Sequence, residues 1–189
     1  MASITDVHKA LVMSARTAVE KEPNYTYVAA RLLMDSLRSE ALTFLDLQEN
    51  ATFNQMSDLY PEYFNKYIFK GIELGILDSQ LKTFDLETLG KAIKPARDFQ
   101  FTYLSLQTLY DRYFIHSNDT RYELPQAFFM RVAMGLSVRE KNPTAKAIEF
   151  YNLLSSFDYM TSTPTLFNAG TVRPQLSSCY LTTVPDDLE

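Results

Sequence analysis

Glycine occupies only 5 of 189 positions, and this scarcity narrows the possible folds more than any other feature of the sequence. A phosphate-cradling loop needs closely spaced glycines, and neither GxGxxG nor GxxxxGK followed by Ser or Thr occurs. Rossmann and P-loop designs are excluded on that ground. Few glycines together with abundant Leu, Ala and Met favour helices, so the expected class is mainly α.

Helical periodicity supports this along most of the chain. Val7, Leu11, Ala15 and Ala18 recur at helical spacing over Thr5–Lys21, with Thr5 or Asp6 as cap and Pro23 as stop. Asn24 is placed to cap a second helix to about Leu47, with Val28, Leu32, Leu33, Leu37, Ala41 and Leu45 inward. Arg31, Asp35, Arg38 and Glu40 then read as its solvated face. Residues 50–59 are polar and broken, Pro61 suits the first position of a helix, and Gly75 ends it. Asp85 caps a short helix through Ile93, stopped by Pro95, and another runs from Phe101 to about Asp111.

Residues 113–116 and 121–124 are β-rich and flank the polar run 117–120, which predicts a small hairpin. Pro125 opens a helix through Leu136. Asn142 and Pro143 open another that buries Ala147, Ile148, Tyr151, Leu154 and Phe157. Loop-like sequence follows, and Ser178–Val184 reads as one buried strand. A lone strand cannot satisfy its own backbone, so the expectation is the front end of something larger. No internal repeat or low-complexity tract is present.

Charge and thiol content exclude further classes. With 18 Lys+Arg against 23 Asp+Glu the net charge is −5, which argues against non-specific nucleic-acid binding; DNA is not an expected partner. No run of eighteen apolar residues exists, so no membrane span is expected, and the N-terminus lacks the apolar core of a secretory signal. One Cys and two distant His exclude a disulfide framework and a Cys/His zinc site within the chain. The expectation is no metal and no bound cofactor here, in a reducing, cytoplasmic compartment. His8 and His116 read as surface residues. The 12 Tyr and 13 Phe are spread over helix faces and the hairpin, which reads as packing rather than as a radical chain.

Three clusters could carry chemistry. Cys179, the single thiol, is either a small hydrophobe on a buried strand or a reactive group; Ser177 would share its face. Residues 161–165 and 168–171 offer hydroxyls and turn amides suited to an anion, or an ordinary Ser/Thr/Pro loop. Asp186 and Asp187 could accept from a ribose hydroxyl, or mark a solvated turn.

The runs EFYNLLS (149–155), STPTLFNAGT (162–171) and PQLSSCYL (174–181) closely resemble the catalytic large subunit of class I ribonucleotide reductases. The resemblance is weak before about residue 95 and specific from about Arg97 onward. It implies a helical N-terminal region leading into a ten-stranded α/β barrel that this chain does not complete. Residues 1–22 correspond to the last helix of an ATP cone, 23–157 to the helical region, and 158–189 to the substrate loop and first barrel strand. The residues that grip ATP in a cone are missing, so no ATP activity site is expected.

By the same resemblance Cys179 is one half of a redox pair that gives two electrons to the ribose and ends as a disulfide. The other half and the radical-bearing cysteine lie downstream in the family. Thr163, Ser178 and Cys179 match substrate-contacting positions. Asp186 and Asp187 match the start of the loop that binds a nucleotide effector, a deoxynucleoside triphosphate or ATP. The implied reaction turns ribonucleoside diphosphates into 2′-deoxyribonucleoside diphosphates, the DNA precursors. Implied partners are a metal-containing, radical-generating small subunit, thioredoxin or glutaredoxin, the rest of the barrel and a second large subunit. This chain alone is then inactive. The rival expectation is a stand-alone helical interaction module, or a split-subunit piece, without catalysis.

Overall fold

A computed structural model describes residues 3–184. In chain order the elements are α1 (Ile4–Ala18), α2 (Tyr25–Phe44), α3 (Phe53–Glu73), α4 (Leu86–Ala92), α5 (Tyr103–Arg112), β1 (His116–Ser117), β2 (Thr120–Arg121), α6 (Pro125–Ser137), α7 (Pro143–Ser155) and α8 (Thr163–Asn168). Short 3-10 turns at Ser79–Thr83 and Pro95–Gln100 complete the set. The mainly helical expectation with one small hairpin holds.

The centre is α6. Every residue from Pro125 to Met134 is buried, so this helix has no solvent face, and α7 packs along it. The extended segment before α6 is held by α3, whose Tyr60, Tyr63, Phe64, Tyr67 and Ile68 are all buried. The Tyr63 hydroxyl donates to the Tyr122 carbonyl and accepts from the Leu124 N–H, both at 2.8 Å. Two obligatory backbone groups of the extended 122–124 segment are thereby satisfied inside the core. The hairpin is minimal: β1 pairs antiparallel with β2, and Asn118 and Asp119 turn the chain at φ 47° and 64°. Two successive positive φ values at Asn and Asp match the hairpin turn whose twist suits flanking strands.

Four expectations need correction. Pro61 does not start α3; it lies inside it. The helix begins at a capping box in which the Gln55 N–H donates to Thr52 Oγ1 and the Gln55 side chain accepts from the Thr52 N–H. Proline is tolerated because the carbonyl it strands, at Ser57, belongs to an exposed residue and can meet water. On α1 the buried residues are Val12 and Ala15, while Val7 and Leu11 are each 48% exposed. Its cap is Ser3, not Thr5 or Asp6, with the Asp6 carboxylate reaching back to the Ser3 N–H. Arg38 is not on a solvated face: it is buried and donates to the Ala51 carbonyl and to Asp35. Finally, residues 178–184 form no strand and are exposed, Leu181 fully so. A strand needs a partner, and the two-residue hairpin is the sole sheet among the described residues.

Smaller differences have local causes. The second helix stops at Phe44 because Asp46 turns the chain at φ 51°, and Asn24 precedes it without a side-chain capping bond. Phe157 also has positive φ, at 63°, which ends the packing register of α7 and leaves its ring 42% exposed. The Ser/Thr/Pro run read as loop contains the one-and-a-half-turn helix α8.

One partly buried relay joins four parts of the chain. Asp98 Oδ1 accepts from Gln126 Nε2 at 2.7 Å; Gln126 Oε1 accepts from the Tyr151 hydroxyl, which accepts from the Lys94 N–H. Burial pushes the Asp98 carboxyl up to about 7, against the pull of Gln126, Arg38 and Tyr60. A carboxyl raised in the folded state stabilises fully below its unfolded value and loses that contribution as pH rises through the folded one. Asp98→Asn, which keeps the acceptor without the charge, should therefore gain on the parent by about 2–3 kcal/mol between pH 5 and pH 8. Urea unfolding at the two pH values checks this; a constant difference between the proteins contradicts it.

Candidate functional site

The resemblance singles out the segment carrying Thr163 and leading to Cys179, and the structure shows how α6 holds it. Arg131 and Glu123 are both wholly buried. Arg131 Nε donates to Glu123 Oε1 at 2.7 Å and Nη2 to Oε2 at 3.3 Å, a two-pronged pair. The remaining guanidinium protons reach the α8 backbone: Nη1 donates to the Ala169 carbonyl at 2.7 Å and the Phe167 carbonyl at 3.5 Å, and Nη2 to the Leu166 carbonyl at 3.2 Å. Burial alone would lower the Arg131 pKa, but Glu123 and Tyr67 outweigh it and hold the group charged. Glu123 also accepts from the Tyr67 hydroxyl and the Ile115 N–H.

Downstream contacts continue the docking. Gly135 admits the backbone at 169–170: a Cβ there would lie 2.1 Å from the Gly170 nitrogen. The Asp78 N–H donates to the Gly170 carbonyl and the Val172 N–H to the Ile76 carbonyl, each at 3.0 Å. Thr165 Oγ1 donates to the Leu176 carbonyl at 3.1 Å, and Asn168 Nδ2 to the Gln175 carbonyl at 2.7 Å. The strand-like run after residue 174 thus leaves from a fixed point on α8.

Thr163 is exposed at the start of α8, with its hydroxyl 3.3 Å from that of Tyr113. The Tyr113 ring stacks on Phe167 at 4.5 Å and 5°. Beside this stack lies a cleft of about 510 Å³, bounded by residues 111–116 on one side and by Phe167, Asn168 and Thr171 on the other. Ser178 and Cys179 are exposed, and no described hydrogen bond holds residues 177–184. Cys179 follows the anchored Leu176 by three residues, a reach of about 10 Å of extended chain. Thr163 and the departure point of the Cys179 segment are brought together; Cys179 itself is not fixed against Thr163. Asp186 and Asp187 lie outside the described residues.

Sequence reading missed Arg131, Glu123 and Tyr113. The available signal was Arg131 itself, a lone charge in the apolar run 127–136, since a charge on such a helix must find a buried partner. Its partner, Glu123, precedes the helix on an extended segment, so helical spacing could not point to it.

Comparison with known proteins covers the same region. Residues 99–174 match the family model of the ribonucleotide reductase all-alpha domain, a span that contains Tyr113, Glu123, Arg131 and Thr163 and stops before Ser178. The chain is 46% identical over 184 residues to the ribonucleoside-diphosphate reductase subunit alpha of Chlamydia muridarum, covering 97% of this chain and 17% of that protein. With the alpha subunit of Helicobacter pylori it shares 42% identity over 179 residues, covering 92% and 21%. With the large subunit of Danio rerio it shares 38% over 175 residues, again 92% and 21%. The chain thus spans about a fifth or less of the length of these curated relatives. Together, the domain match and the similarity along nearly all of the chain place it in the ribonucleotide reductase large-subunit family, as part of that subunit's N-terminal region.

Proposed function

We propose that this chain is the helical N-terminal part of an enzyme subunit that reduces ribonucleoside diphosphates to 2′-deoxyribonucleoside diphosphates, and that Cys179 is one of its redox thiols. Residues 1–22 are then a remnant helix resembling the end of an ATP cone, 23–157 form the helical region, and 158–189 bring the substrate loop and the segment that becomes the first barrel strand once the rest of the barrel pairs with it. The observation that carries the reading is the exposure of Cys179 on a segment anchored beside Thr163. A structural cysteine is expected in an apolar site, and among the described residues none encloses this thiol.

The roles follow from the groups. The Thr163 hydroxyl, beside the Tyr113 hydroxyl, can donate to a ribose or phosphate oxygen. Ser178 offers a second donor, and neither hydroxyl introduces a competing redox group. Cys179 and a second cysteine from the rest of the subunit lose two protons and two electrons and form one S–S bond. The ribose C2′–O bond breaks, its oxygen leaves as water, and hydrogen takes its place. The sum is one diphosphate plus two thiols giving one deoxy product, one disulfide and one water. A metal-containing small subunit supplies the radical that starts the sequence, and thioredoxin or glutaredoxin restores the thiols. Asp186 and Asp187 serve a nucleotide effector, a deoxynucleoside triphosphate or ATP, in a cytoplasmic homodimer of large subunits.

The test is reduction of a ribonucleoside diphosphate by the complete large subunit carrying this sequence, with small subunit and dithiol reductant. Deoxynucleotide formation that requires all three is the expected result; absence of both nucleotide binding and product overturns it. The rival reading, an interaction module without catalysis, is favoured by the half-exposed Val7, Leu11 and Met13 on α1. A subunit that binds partner chains yet makes no product would establish it.

A further inference from the structure

We propose that Arg131 is the positioning residue of the substrate segment: paired with Glu123, it sets α8, and with it Thr163, against Tyr113 and fixes where the Cys179 run departs. This rests on the reading of residues 163–179 as the substrate segment. A six-residue helix has almost no stability of its own, so α8 must be held by something outside itself. Its last carbonyls, which lack helical donors, are the ones Arg131 meets. A cation at a helix C-terminus also meets the negative end of the backbone dipole. All five guanidinium protons are used, two on Glu123, two on the α8 carbonyls of Leu166 and Phe167, and one on the carbonyl of its cap residue Ala169.

The other end of the pair reaches Tyr113. Glu123 Oε2 accepts from the Ile115 N–H at 2.9 Å, two residues beyond Tyr113. One ion pair therefore ties both walls of the cleft, the 113–115 backbone and α8, to the same buried point on α6. The Tyr113 and Thr163 hydroxyls, which meet at 3.3 Å, belong to those two walls. A point charge cannot reproduce this, because lysine has no planar fork with which to grip a carboxylate and three carbonyls together.

The experiment has two readouts on Arg131→Lys, which keeps the charge and loses the fork. In this chain, hydrogen exchange should accelerate about ten-fold or more at the amides of Asp78, Ala169, Thr171 and Val172, while those of residues 60–68 change by about two-fold at most. Gly135→Ala, which pushes on residues 169–170 without touching the ion pair, should loosen the same amides. Glu123→Gln, which spares the arginine–carbonyl bonds, should leave the Ala169 amide closer to its parental rate than Arg131→Lys does. In the complete subunit, Arg131→Lys should raise KM for the ribonucleoside diphosphate about ten-fold with kcat reduced less. A uniform change in exchange, or none at residues 169–172, overturns the proposal whatever happens to KM. Local loosening with unchanged KM leaves Arg131 as the anchor of α8 and overturns instead the substrate role of the segment.

Discussion

Arg131→Met is expected to destabilise the chain by about 3–5 kcal/mol, the cost of leaving one member of a buried ion pair unpaired. Methionine keeps an unbranched apolar stem but ends two atoms short of the terminal guanidinium nitrogens, so the loss combines charge and hydrogen bonding with a smaller contribution from volume. Glu123 would keep only the Tyr67 hydroxyl and the Ile115 N–H, and the carbonyls of Leu166, Phe167 and Ala169 would lose a buried donor. In a domain of this size such a loss lowers the melting temperature by roughly 6–20 °C. Adding Glu123→Gln should recover part of the loss, because the uncompensated charge is then gone; a double-mutant cycle by urea unfolding reads the coupling. An Arg131→Met chain within about 0.5 kcal/mol of the parent would mean that the pair does not hold this fold together.

What the sequence revealed and what it concealed divide along physical lines. Local signals that own their geometry were legible. Pro125 and Asn142–Pro143 start helices where expected, Asp85 caps α4 through the Thr88 N–H, and Asn118–Asp119 turn the hairpin. Pro61 misled because its rule concerns an N–H it lacks, whereas the outcome at α3 was decided by Thr52 and Gln55 two turns earlier. On α1 the expected stripe holds at Ala15, but helix–helix packing buries Val12 in place of Val7 and Leu11, and periodicity alone cannot say which stripe a partner will cover. Ser178–Val184 has strand composition without a strand partner, and pairing is not a property of one segment.

The site followed the same division. Thr163 and Cys179 could be singled out from the chain because the surrounding runs resemble a known family. Tyr113, Glu123, Arg131 and Thr163 stand 8 to 50 residues apart, and their association exists only in the folded chain. A charged residue inside an apolar helix says that a buried partner exists. It does not say which one.

Cys179→Ser in the complete subunit is the most direct test of the central claim. Serine keeps the size and a hydroxyl donor but cannot form a disulfide, so the two electrons for each product have no source. In this chain, where Cys179 is exposed, the substitution should change stability by less than about 0.5 kcal/mol, and in the complete subunit binding of nucleotide and small subunit should survive. Multiple turnover with the dithiol reductant should fall by about 100-fold or more. The measurement is deoxynucleotide formed per subunit over many cycles. Near-complete loss with retained binding is the predicted result; a Ser variant that reduces ribonucleoside diphosphates at the parental rate would contradict the redox role of Cys179.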